Sequence, residues 1–167
     1  MNCKYKSLIV IILTGILLLG CFEPEPVNVS ELIEENIEKI TISQGIAGSV
    51  IYKEGNFMPP VSENSGIQYP LSRKVFLYDY TEIVHFPYGH FIERDSVHST
   101  LIAQTISDRN GFYQFSISEV GIYSIFVLED GKFYMDYADG GYGINPVTIY
   151  QDSVLIYNIY LDYNASY

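Results

Sequence analysis

From Gln44 onward, apolar and polar positions alternate with a period of two over short stretches broken by Gly, Pro and Asn. That is the pattern of half-buried strands, not of helices. Ile46, Gly48, Val50 and Tyr52 share one face of a first strand, and "KVFLYDY" and "TLIAQTIS" supply a second and a third. "DRNG" then turns the chain, with Asn110 and Gly111 tolerating positive φ. Tyr113, Phe115 and Ile117 alternate in a fourth strand, and Tyr123, Ile125 and Val127 in a fifth. "EDGKF" reads as a further hairpin and "DYADGGYGINP" as a loop. "VTIYQ" and "SVLIYNIYLDY" close the pattern as two antiparallel strands, with Leu155, Tyr157, Ile159, Leu161 and Tyr163 on one face of the last and Asn158 and Asp162 on the other. Seven short strands without intervening helices predict an all-β fold, a seven-stranded antiparallel β-sandwich.

The first 43 residues follow other rules. Leu8 to Gly20 is an apolar run of 13 residues preceded by Lys4 and Lys6, short for a membrane span of roughly 20 residues and right for a signal-peptide core. It ends in Leu18-Leu19-Gly20-Cys21, which resembles the lipobox of bacterial lipoproteins. That resemblance implies cleavage before Cys21 and a covalent diacylglycerol on its sulfur, with the bacterial membrane as the partner. "FEPEPVN" is an acidic, proline-stiffened tether. "NVSELIEENIEKI" places Leu32, Ile33, Ile37 and Ile40 near helical spacing, with Asn28 or Ser30 as N-cap. The organisation expected is therefore a lipoprotein signal peptide over 1–20, tether and short helix over 21–43, and a sandwich over 44–167.

Composition narrows the partners. With Cys3 removed in the leader and Cys21 acylated, no thiol is left for a disulfide or a cysteine-bound metal. The chain carries a net charge of −11, which becomes −13 without Lys4 and Lys6. Such a surface excludes nucleic acid and electrostatic docking on anionic lipid. Tyr occurs 16 times and Trp not at all, and a tyrosine-rich, β-branched, Gly-punctuated sequence reads as strands with turns.

The pieces "GIAGSVIY", "TISDRNGFYQFSI" and "GIYSIFVLEDG" resemble, in order, the carboxypeptidase regulatory-like domain, whose fold is transthyretin-like (prealbumin-like). The matching positions are Gly48 and Val50; Thr105, Ser107, Asp108, Gly111, Tyr113 and Phe115; and Gly121, Tyr123, Ile125 and Val127. Val120 stands where that pattern often has proline. "QGIAGSVIYKEGNFMPP", "GINPV" and "LDYNASY" are similar to lipoproteins of Bacteroidetes-type bacteria. The resemblance implies a place in the cell envelope, at the outer membrane on its periplasmic or surface face, and supplies no reaction.

Three groups of residues could carry chemistry. His85, His90 and His98 fall in one stretch, and His90-Phe-Ile-Glu93 has the His-x-x-Glu spacing of zinc carboxypeptidases. The chain has no room for that catalytic domain, and solvated loop histidines explain the residues equally. Asp136, Asp139 and Asn145 offer calcium-type oxygen ligands in a Gly-rich loop without the EF-hand spacing, and turn formation accounts for them too. Phe76, Tyr78 and Tyr80 alternate away from Val75 and Leu77, forming an aromatic platform for a glycan or protein partner unless the Asn56–Arg73 excursion covers it. No nucleophile elbow or phosphate loop is present, and the Tyr-Arg-Gly-Ser ending of the transthyretin-like hydroxyisourate hydrolases is replaced by Asn-Ala-Ser-Tyr. The expectation is a lipid-anchored, non-catalytic binding, adhesion or structural accessory module for an envelope protein or glycan, without a cofactor. A zinc or calcium sensor, or a small metal-dependent hydrolase, is the alternative.

Overall fold

A computed structural model describes residues 28–59, 65–82, 89–136 and 143–167. In chain order the elements are α1 (Val29–Glu38), β1 (Gly45–Asn56), β2 (Ile67–Pro70), β3 (Lys74–Asp79), β4 (Phe91–Ile92), β5 (Leu101–Ile106), β6 (Phe112–Ser116), β7 (Gly121–Glu129), β8 (Lys132–Tyr134), β9 (Pro146–Ile149), β10 (Val154–Ile156) and β11 (Ile159–Ser166), with a 3-10 turn at Arg94–Ser96. Two sheets pack as an all-β sandwich. Among the described residues, no helix is long and apolar enough to cross a membrane.

β1 is the spine of the first sheet. Its first half pairs with β6 and its second half with β2, both antiparallel. On the other edge it pairs with β10 and β11, both parallel. The closing strands are therefore not antiparallel partners of each other, because β9 joins the second sheet against β7. The second sheet runs β4-β8-β7-β3-β5, with β9 beside β7. Among the described residues eleven strands replace the seven expected, because the last predicted segment breaks into β10 and β11 and because β2, β4 and β8 add short pairings.

The alternation reads directly as layers. Ile46, Val50 and Tyr52 of β1 meet Val75, Leu77, Tyr123, Ile125 and Val127 of the second sheet in the central core, together with Ile159 and Leu161. Leu155, Tyr157 and Tyr163 pack against the same core, as their spacing predicts. The opposite face of the second sheet carries a smaller cluster of Phe76, Ile92, Phe126, Phe133 and Ile144. Each fully buried Phe there is worth roughly 1.5–3 kcal/mol of apolar transfer. On the outer face of the first sheet, Ile51 receives Val29 and Leu32 of α1.

α1 starts where Asn28 Oδ1 accepts a hydrogen bond from the Ser30 amide at 3.2 Å, the N-cap arrangement. Its docking is partly polar. Asn36 is buried, and its Nδ2 donates to Ser49 Oγ and to the Asn110 carbonyl, each at 2.8 Å. Ile37, which the helical spacing placed in the core, is 45% exposed.

One glycine is required by close approach. The register Gly45↔Val154 and Val50↔Ile159 shows that β10 and β11 are one line of chain interrupted at Tyr157–Asn158. At the interruption the Tyr157 amide donates to the Ala47 carbonyl at 2.8 Å and the Ser49 amide to Asn158 Oδ1 at 2.9 Å. The Tyr113 hydroxyl donates to the Tyr157 carbonyl at 2.6 Å. That carbonyl oxygen would lie 1.9 Å from a Cβ on Gly48, so only glycine fits.

Candidate functional site

The turn "DRNG" is structural. Asp108 Oδ1 accepts from the amides of Asn110 and Phe112 at 2.8 and 2.9 Å, and Gly111 takes φ +76° against the Val50 carbonyl. The conspicuous motif of the sequence thus builds a corner.

The platform of Phe76, Tyr78 and Tyr80 divides. Phe76 is buried, 5.2 Å from the Phe133 ring centroid. Tyr78 is half-buried and meets Phe126 and Phe133 edge-on at 5.8 Å each. Tyr80, just past the end of β3, is also half-buried. The described strand of the Asn56–Arg73 excursion, β2, is held by β1 in the other sheet. Cover comes from Ile92 of β4 and from the 3-10 turn, whose Arg94 guanidinium lies 5.6 Å from the Phe76 ring and 5.7 Å from the Phe133 ring. A cation over an aromatic face at this distance is attracted by the ring quadrupole.

This turn opens one side of an open cleft of about 440 Å³ lined by Tyr78, Glu93, Arg94, Asp95 and Gly131. The opposite wall is the β7–β8 hairpin, where Glu129 pairs with Lys132 across Asp130 (φ +47°) and Gly131 (φ +83°). Two central residues with positive φ are the requirement of the tight hairpin turn, and Asp-Gly meets it. Lys132 Nζ reaches Glu93 Oε1 at 2.6 Å and clamps the turn to the hairpin. Among the described residues, Arg94 has no ion pair, and its guanidinium is oriented by the rings beneath it. The cleft therefore combines an aromatic edge, a fixed hydrogen-bond donor fork and carboxylate acceptors. Of these, Tyr78 was a sequence candidate for the aromatic platform and Glu93 entered only through the His90-x-x-Glu93 spacing. "ERD" gave no periodic signal, and Phe76 and Phe133 orient Arg94 from two separate strands.

Two of the three histidines lie among the described residues. His90 is exposed and its ring lies parallel to Tyr134 at 5.9 Å. His98 is exposed beyond the 3-10 turn. His85, Asp139 and Cys21 lie outside the described residues. Among the described residues no group of three His, Cys, Asp or Glu side chains is placed to hold a metal ion.

Asp136 and Asn145 are brought together, but through the backbone. Asn145 is buried at φ +41°. Its Nδ2 donates to the carbonyls of Ile125 and Tyr134, and its Oδ1 accepts from the Asp136 amide, all at 3.0 Å. The Asp136 carboxyl is held above the ordinary aspartate pKa by burial and then by Asp162, against the opposing pull of His90 and Lys53. Tyr134 donates to Asp162 Oδ1 at 2.5 Å, and Tyr167 to Asp162 Oδ2 at 3.1 Å. Burial and then that hydrogen bond push the Tyr134 phenol well above its usual range, and the same causes push Tyr167 up to about 12. Protonated phenols on one carboxylate make a structural clasp between β8 and β11.

Fold and cleft together define an all-β sandwich with a polar recess on its second sheet. Compared with family models, curated proteins and solved structures, the chain gives no match that narrows this further.

Proposed function

We propose that the protein is a lipid-anchored, non-catalytic binding module of the cell envelope, and that its ligand is a glycan held in the cleft of Tyr78, Glu93, Arg94 and Asp95. The observation that carries the reading is the pairing of a half-buried Tyr78 ring with the oriented Arg94 fork and the Asp95 carboxylate around one open recess. A pyranose offers an apolar ring face to the tyrosine and a rim of hydroxyls to charged donors and acceptors. The volume suits one or two sugar rings, within the roughly 300–1,000 Å³ of ordinary ligand sites. The anchor rests on Leu18-Leu19-Gly20-Cys21 and the short apolar run before it. Acyl chains at about 0.8 kcal/mol per buried CH2 hold a protein firmly at a bilayer.

A glycan array followed by amide NMR titration tests the cleft. Shifts are expected at residues 78, 93–95 and 131, and Tyr78→Ala and Arg94→Ala should each weaken binding by about tenfold or more. Absence of any glycan ligand, or binding indifferent to both substitutions, refutes the assignment. For the anchor, Cys21→Ala should abolish incorporation of a palmitate analogue, and unchanged labelling refutes it.

A further inference from the structure

β5 forms an outer edge of the second sheet, pairing only with β3 among the described strands. An unpaired edge is a template for another strand, and proteins usually blunt it with charge, proline, short length or a bulge, the last of which in β5 touches only its first two residues. Most other outer strands here are blunted in those ways, and β6 is instead met by the segment after α1, whose Thr41 exchanges two hydrogen bonds with the Gln114 side chain. β2 contains Pro70 and β9 begins with Pro146, β4 and β10 are two and three residues long, and β11 carries Asp162. β5 reads Leu101-Ile-Ala-Gln-Thr-Ile106, with Leu101, Ile102 and Ile106 exposed at 44, 40 and 63%. No Lys, Arg, Asp or Glu occurs from Ser96 to Ser107. A register shift opposite Leu77–Tyr78 leaves Ile102 as a bulge, while Ala103 to Ile106 stay in straight register with β3.

Ladder geometry says which groups are free. The Ser107 amide donates inward to the Arg73 carbonyl at 2.9 Å. Alternation along an antiparallel strand then directs the N–H and C=O of Gln104 and Ile106 away from β3.

We propose that β5 is the seam of a homodimer, pairing antiparallel with β5 of a second copy about a two-fold axis at Gln104. The occupant follows from charge and symmetry. Copies of a chain with net charge −11 repel each other over most of their surface, so a contact between them needs a stretch without carboxylates. An antiparallel strand pair is self-complementary under a two-fold axis and closes on itself, leaving no edge for a third copy. Centring on Gln104 joins the outward N–H and C=O of the two Gln104 residues to each other. It sets the two Gln104 side chains beside each other and places each Ile106 opposite Ile102 of the partner subunit. The result is one continuous sheet across both copies.

Sedimentation of the full chain in detergent tests this. A concentration-dependent dimer is expected. Ile106→Lys, which sets a charge at the seam, and Gln104→Pro, which deletes an outward N–H without touching the β3 ladder, should each weaken the dimer by about tenfold or more with an unchanged circular dichroism spectrum. Gln104→Cys should form an interchain disulfide at position 104 on mild oxidation, located by mass spectrometry because Cys3 and Cys21 are also present. The hydrogen-bonded pair spacing of about 5.5 Å between Cα atoms permits it. A monomer at every concentration, a dimer that survives Ile106→Lys, or a cross-link confined to other positions overturns the proposal. A strand of different sequence captured in place of the second copy overturns it as well.

Discussion

Asn145 is where a calcium-ligand reading and a structural reading make opposite predictions. Its side chain makes three hydrogen bonds to the backbone, joining the Ile125 and Tyr134 carbonyls to the Asp136 amide. Asn145→Ala removes those three bonds inside the fold, each worth about 1 kcal/mol net. It also places alanine at φ +41°, a left-handed conformation that costs an ordinary residue about 1 kcal/mol. The expected loss is about 4 kcal/mol, or roughly 8–16 °C in melting temperature for a chain of this size. Asn145→Gly tolerates the backbone angle and should lose only about 3 kcal/mol, so the difference between the two isolates the conformational part. Asn145→Asp keeps the acceptor but turns a charged oxygen toward two carbonyls, and should destabilise as much as alanine at neutral pH. Urea unfolding followed by circular dichroism measures all three, with constant m-values as the condition for comparison. An Asn145→Ala loss under about 1 kcal/mol refutes the bracing role. An Asn145→Asp variant that becomes more stable than the parent when calcium is added would restore the ligand reading.

The remaining predictions follow from single contacts. Gly48→Ala should cost more than about 3 kcal/mol or abolish folding, because the added carbon meets the Tyr157 backbone; a folded variant of near-parental stability in urea would show that β10 and β11 can move apart. Arg73 grips the buried Glu129 with two nitrogens, and Tyr163 donates to the same carboxylate. Arg73→Met should therefore cost about 2–3 kcal/mol, while the double variant Arg73→Met/Glu129→Leu recovers much of the loss; an additive double-mutant cycle contradicts the coupling. Asp136 has a folded pKa raised above its unfolded value by burial and Asp162. The fold binds that proton more tightly, so stability contributed below the unfolded pKa is lost as pH rises through the folded one. Asp136→Asn should flatten this decline in a urea series across the carboxylate range, and an unchanged slope rejects the assignment.

How much of this was legible in the sequence differs from element to element. The two-residue period sorted Val75 and Leu77 from Phe76 and Tyr78, and the structure puts them on opposite faces of one sheet. The turn chemistry of Asp108 and Gly111, the Asp130-Gly131 hairpin and the Asn28 cap were readable for the same reason, since each depends on residues within a few positions of itself. Leu155 to Tyr163 declared their common face although β10 and β11 separate at Tyr157. The order of strands was not readable. That β11 lies parallel to β1 is decided by contacts between residues more than a hundred positions apart, and that β9 joins the opposite sheet by contacts with β7 more than twenty positions away. The cleft belongs to this second group. Arg94 carries no periodic signature, and what aims it is the stack of Phe76 and Phe133, assembled only when β3 and β8 enter one sheet. Asn36 in α1 is similar, because its buried amide is matched by Ser49 and Asn110 from distant segments. The sequence by itself determined which segments are strands and which way each side chain alternates, because backbone period and turn conformation are local energies. The tertiary structure decided which strands meet and which polar groups are satisfied, because burial and hydrogen bonding are settled only between partners that the chain brings together.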